Sequence, residues 1–84
     1  MAAAGRHPLL KLELSGQCLD TPVLSEAARL FGVDNYIISA KIDTVATVTF
    51  VVLLIELRGD ITNTEKAIAF FKQKNIKAEL LGYV

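Results

Sequence analysis

The stretch "TVATVTFVVLLI", residues 44–55, decides the fold, because it is the longest run of the chain without a charge. It is too short for a membrane. A spanning helix needs about 20 apolar residues, whereas Asp43 and Glu56 close this run on both sides. Four Val and three Thr occupy it, and β-branched side chains fit a pleated sheet better than a helix. The run therefore reads as one long strand that continues to Leu57, apolar on both faces.

Working outward from it, "LLKLELSG" (9–16) alternates, with Leu10, Leu12 and Leu14 on one side and Lys11 and Glu13 on the other. That is the pattern of a half-buried strand. "LDTPVLSEAARLFG" (19–32) is a helix with its punctuation written in. Thr21 is placed to cap it, Pro22 suits the first helical position, and Gly32 suits the left-handed position after the last turn. Leu24, Ala27, Ala28 and Phe31 form its apolar stripe. "NYIISAKID" (35–43) is a second strand, with Ile38, Ala40 and Ile42 on one face and Ile37, Ser39 and Lys41 on the other. "TNTEKAIAFFKQKN" (62–75) is a second helix, in which Thr62 and Glu65 have capping-box spacing and Ala67, Ile68 and Phe71 face inward. "IKAELLGY" (76–83) supplies a fourth strand, Ala78 and Leu80 inward.

The two halves echo each other at an offset of 43: "LELSG" (12–16) on "IELRG" (55–59), Ala28 on Phe71, Gly32 on Asn75, Val33 on Ile76. Gly and Asn are the residues that best tolerate a left-handed backbone. Two β-α-β halves with right-handed crossovers give βαββαβ, a four-stranded antiparallel sheet with both helices on one face. This is the α+β, ferredoxin-like arrangement. The first and third strands are then central. With Glu56 solvated, Leu53, Ile55 and Leu57 face the helices. Val48, Phe50, Val52 and Leu54, joined by Ile37, point to the open face and mark an interaction surface.

Totals narrow the function. Eighty-four residues, 52% hydrophobic, make one globular domain. Residues 1–8, "MAAAGRHP", have the character of a tag or linker remnant and not of a signal peptide, leaving 9–84 as the domain. Nine basic and nine acidic residues cancel, which argues against nucleic acid as a partner. Cys18 is the single cysteine, and it has no histidine placed to activate it and no second thiol for a metal or a disulfide. Phe50 alone makes no base-stacking platform. The five glycines lie far apart, so no phosphate-cradling loop is formed. The carboxylates Glu13, Asp20, Asp34, Asp43, Glu56 and Glu79 sit at strand ends or on mixed-charge faces, where solvation explains them better than acid–base work. No catalytic residue, metal site or cofactor site emerges.

"LELSGQCLDTPVLSEAARLFGVDNYIISAKID" (12–43) and the closing "IKAELLGYV" (76–84) resemble the NIL domain. The carriers are the Gly16 turn, Asp20-x-Pro22, Ser25, Arg29 and the Leu81-Gly82-Tyr83-Val84 ending, and the likeness runs from about Leu9 to Val84. The resemblance implies the C-terminal regulatory module on the ATP-hydrolysing subunit of methionine ABC importers. Such a module is similar to ACT-type sensors: two copies pair, and bound methionine holds the ATPase subunits apart. It implies a cytoplasmic place at the inner face of the bacterial inner membrane, with the ATPase domain and membrane subunits as partners. It also implies methionine or a similar small amino acid as ligand near Asn35, Tyr36, Ile37, Ile38 and Phe50. The homodimer surface is then Ile37, Val48, Phe50, Val52 and Leu54.

The chain departs from that family in two places. The Asn-Ile-Leu that names the family reads Tyr36-Ile37-Ile38, and the glycines of relatives after the aspartate are replaced by Ala46, Thr47 and Val51. Glycine in a strand permits a bulge or a close approach, so filling these positions favours a more cohesive sheet. A second reading follows, of a diverged or redesigned homodimerisation module that no longer binds an amino acid.

Overall fold

The computed structural model describes residues 7–84, so "MAAAGR" of the expected linker remnant, like the side chain of Cys18, lies outside the described residues. Four strands and two helices follow in the expected order, with a 3-10 turn (Gly16–Leu19) after the first strand: β1 (Pro8–Ser15), α1 (Val23–Phe31), β2 (Asp34–Val45), β3 (Val48–Arg58), α2 (Ile61–Gln73) and β4 (Lys77–Tyr83). The sheet is antiparallel in the order β2-β3-β1-β4, with β1 and β3 central. His7 exchanges two backbone hydrogen bonds with Val84, so the fold reaches back past the Leu9 boundary drawn from the sequence.

Alternation sets the core. Leu10, Leu12 and Leu14 of β1 and Leu53, Ile55 and Leu57 of β3 are buried on one face, in register as Leu10 opposite Ile55 and Leu12 opposite Leu53. Val23 and Ala27 of α1 and Ala67 and Phe71 of α2 close over them, with Val33 and Ile76 in the links just before β2 and β4. Phe70 stands edge-on to Phe31, 5.6 Å between ring centroids, and joins the two helices. Gly32 at φ 65° and Asn75 at φ 61° both take the left-handed turn that the repeat places there.

The opening stretch is not one strand. It contains the last two residues of β2, a two-residue turn at Ala46 and Thr47, and the first eight residues of β3. Val45 lies opposite Val48. Tight hairpin turns need a positive φ and normally advertise it with Gly, Asn or Asp. Here Ala46 adopts φ 58° in a run whose composition stays strand-like throughout, so the pattern hides the turn. An L residue in this conformation costs about 1–2 kcal/mol. Ala46→Gly is therefore expected to raise stability by about 1 kcal/mol, or about 4–8 °C in melting temperature for a domain of this size. An unchanged or lower melting point would show that the turn is unstrained.

Two helix starts also differ from the sequence reading. Pro22, not Thr21, is the residue that precedes the first helical turn of α1. Asp60 precedes α2, which puts Thr62 inside the helix, so no capping box with Glu65 forms. The buried hydroxyl belongs to Thr64, which donates to the Ile61 carbonyl at 2.9 Å.

A bulge between Ile37 and Ser39 overturns one face assignment. Ile37 lies opposite Ile55, and Ser39 opposite Leu54. Ile55 is fully buried under the helices, so Ile37 belongs to the helix side and not to the open face. Beyond the bulge, Ser39, Lys41, Asp43 and Val45 take the open side. The extra residue that resets the alternation is invisible in a run such as Ile-Ile-Ser-Ala.

Candidate functional site

Val48, Phe50, Val52 and Leu54 do share the open face, but they form a stripe one strand wide. Ser15, Glu13 and Lys11 of β1 stand opposite Phe50, Val52 and Leu54, while Asp43, Lys41 and Ser39 of β2 flank the same three residues on the other side. Long charged side chains cover neighbouring apolar surface with their stems. Phe50, Val52 and Leu54 are accordingly half-buried, and only Val48 at the hairpin end is exposed. At the other end of this face, the Arg58 guanidinium lies 4.2 Å from the centroid of the Tyr36 ring and its Nε donates to Glu56 at 2.6 Å. That hydrogen bond raises the Arg58 pKa above its ordinary value. Glu56, expected in solvent, has a side chain only 14% exposed.

The five expected ligand residues do not converge. Tyr36, opposite Glu56, and Phe50 are six positions apart along β3, about 20 Å at the rise of a strand. Asn35, opposite the buried Leu57, points to the other side of the sheet with Ile37. Ile38 sits at the bulge and is exposed.

Asn35 and Ile37 instead line a groove of about 390 Å³ between α1 and the start of β2. Its walls are apolar at Leu24, Ala28, Val33 and Ile37 and polar at Ser25, Asp34 and Asn35. Asn35 is held in place: its Nδ2 donates to the Leu24 carbonyl at 2.9 Å, tying strand to helix. Its Oδ1 is buried without a hydrogen-bond partner. An unpaired buried acceptor costs about 1–3 kcal/mol, which a ligand donor arriving in the groove would relieve. Asp34 also borders the groove. Ser25 lies in the first turn of α1, where the helix dipole favours an anion. An unpaired acceptor, a hydroxyl near a helix start and an apolar wall suit a small zwitterion with an apolar side chain. The volume falls at the small end of ligand sites, roughly 300–1,000 Å³.

The sequence reading names Asn35 and Ile37 among its expected ligand residues but not Leu24, Ala28, Val33 and Asp34, which line the same groove. Ser25 was noticed only as part of a family-like pattern. The residues meet through the α1–β2 crossover, which no local spacing reveals. Among the described residues, no group of three or more His, Cys, Asp or Glu could hold a metal ion, and no helix is long and apolar enough to cross a membrane.

Comparison with known proteins agrees with this architecture. The NIL domain family model matches residues 8–80. The chain is 49% identical over 82 residues to the methionine import ATP-binding protein MetN of Sodalis glossinidius, covering 98% of this chain and 24% of that protein. It is 47% identical over 77 residues to the protein of that name from Escherichia coli strain K12, covering 92% and 22%. It thus spans about a quarter of the length of these relatives. A crystal structure of the C-terminal domain of an ABC transporter ATP-binding protein from Enterococcus faecalis superposes with a TM-score of 0.77. That match covers 89% of this chain and 83% of that one at 23% identity, and so shows the shared fold.

Proposed function

This chain belongs to the NIL domain family, and on that premise we propose that it is the methionine-sensing regulatory domain of an importer's ATP-binding subunit. Methionine sits in the α1–β2 groove, two copies of the domain pair, and the occupied pair restrains the ATPase. The domain itself catalyses nothing. It works beside the membrane on the cytoplasmic side, where the ATPase and membrane subunits of the parent transporter are its partners.

The observation that carries this reading is Asn35. Its amide nitrogen is already spent on the Leu24 carbonyl, while its buried oxygen lacks a donor in a groove whose other side is apolar. An ammonium can donate to Asn35 Oδ1, the carboxylate can lie toward Ser25 and the start of α1, and the thioether chain can run along Leu24, Ala28 and Ile37. Relatives of nearly half-identical sequence named for methionine import support methionine over other apolar amino acids.

Calorimetric titration with L-methionine tests it. Saturable binding is expected, weakened about ten- to a hundredfold in Asn35→Ala, since a hydrogen bond to a charged group contributes about 1.5–3 kcal/mol. Norleucine should bind comparably and lysine poorly. Absence of binding at millimolar methionine would leave a pairing module without a ligand.

A further inference from the structure

The start of β2 needs holding. Residues Asp34 to Ile37 pair with Arg58 to Ile55 of β3, and then the bulge interrupts the ladder. β2 lies at the edge of the sheet, so this short segment has a neighbouring strand on one side only. A strand end at an edge, cut off by a bulge, is where a sheet opens most readily. Yet the segment carries Asn35 and Ile37, two of the walls of the α1–β2 groove. On the helix side it is tied by the Asn35 Nδ2 bond to the Leu24 carbonyl. A single hydrogen bond fixes a distance but not the direction in which Oδ1 points. That direction is set only if the backbone beneath the side chain is held as well.

The open face supplies that hold. Tyr36 stands between Asn35 and Ile37 and points the other way, opposite Glu56. The Arg58 guanidinium lies over its ring, 4.2 Å from the centroid, and comes from β3, a central strand. Its Nε is fixed to Glu56 at 2.6 Å. A guanidinium bound to a carboxylate at its edge keeps its flat face free for an aromatic ring. We propose that Arg58 is a positioning residue of the groove: anchored by Glu56 and stacked on Tyr36, it pins the start of β2 from the open face and so keeps Asn35 Oδ1 presented to the groove on the other.

The direction of the side chain supports this role. Asp34 stands opposite Arg58 across the ladder, but the guanidinium goes to Glu56 and leans over residue 36. Its charge therefore sits beneath the residue that separates the two groove walls. Arg58, Glu56 and Tyr36 are not among the residues lining the groove, so they act on it through the backbone. The effect on binding rests on the reading of the groove as the methionine site, whereas the hold on Asn35 does not.

Hydrogen exchange of the Asn35 side-chain amide, followed by NMR on the chain without ligand, tests the hold. Arg58→Ala and Tyr36→Leu should each speed it about three- to fivefold. Tyr36→Phe keeps the ring and should stay within about twofold of the parent. Arg58→Ala combined with Tyr36→Leu should be no faster than either alone, because both remove one contact. Backbone amides of Leu12 and Ile55 in the central strands should keep their parent rates, which a general loss of stability would not allow. Methionine titration of the same samples should show about three- to tenfold weaker binding in Arg58→Ala and Tyr36→Leu, and near-parent binding in Tyr36→Phe. Unchanged Asn35 exchange in Arg58→Ala, or single effects that add in the double variant, overturns the proposal. Weaker binding in Arg58→Ala without faster Asn35 exchange also overturns it, by placing Arg58 at the ligand. If the parent chain binds no methionine, the reading of the groove fails, and the exchange rates still decide the hold on Asn35.

Discussion

Phe71→Ala is expected to bring the domain to the edge of unfolding at room temperature. Phe71 is the largest of the fully buried side chains, and it lies on the inner face of α2 where both halves of the sheet meet the helices. Truncating a buried phenylalanine costs about 3–5 kcal/mol, the lost transfer energy plus a cavity that close-packed neighbours cannot fill. A domain of this length has a net stability on the order of 4–13 kcal/mol, so one side chain accounts for much of the margin. The adjacent Phe70 should behave differently. It is only partly buried, between Phe31 and the Lys74 ammonium, and its truncation should cost about half as much or less. Urea titration of both variants checks this, and a Phe71→Ala loss below about 1 kcal/mol would contradict the core as described.

The second large effect is on ligand binding. Ala28 lies on the groove wall and is not part of the buried core. Ala28→Trp places an indole where the methionine side chain is proposed to run, while the Asn35 bond to Leu24 and the core are left in place. Binding should fall below detection, at least about a hundredfold, given that overfilling a packed site costs about 1–3 kcal/mol beyond the contacts displaced. The melting temperature should stay within a few degrees of the parent. Methionine binding by Ala28→Trp with unchanged affinity would place the ligand elsewhere.

Much of the fold is legible in the chain because the central elements are half-buried. In "LLKLELSG" each apolar residue alternates with a polar one, so the core face of β1 is written residue by residue. The 43-residue echo, with Gly32 and Asn75 at equivalent left-handed positions, fixes the two crossovers. Legibility fails where alternation carries no information. Between Thr44 and Ile55 nearly every residue suits a strand, so an alanine turn leaves no mark. At Ile37–Ile38 two identical residues hide the bulge that sends Ile37 to the helix side. The candidate site was half legible for the same reason. Asn35 is a polar residue at a strand start, but its partner is the carbonyl of Leu24, eleven residues away on a helix. The groove exists only once α1 has crossed over the sheet.

The open face carries more charge than its one apolar strand suggests. Val48, Phe50, Val52 and Leu54 alternate as expected, yet the rows beside them carry Lys11, Glu13, Lys41 and Asp43. The exposed apolar side chains gather along β2 and the hairpin end.

Amide chemical-shift mapping during a titration with L-methionine tests the central claim most directly. Binding in the groove predicts shifts at Leu24 to Ala28 and at Val33 to Ile37. No shift at millimolar methionine, or shifts confined to Val48, Phe50, Val52 and Leu54 on the open face, would contradict it.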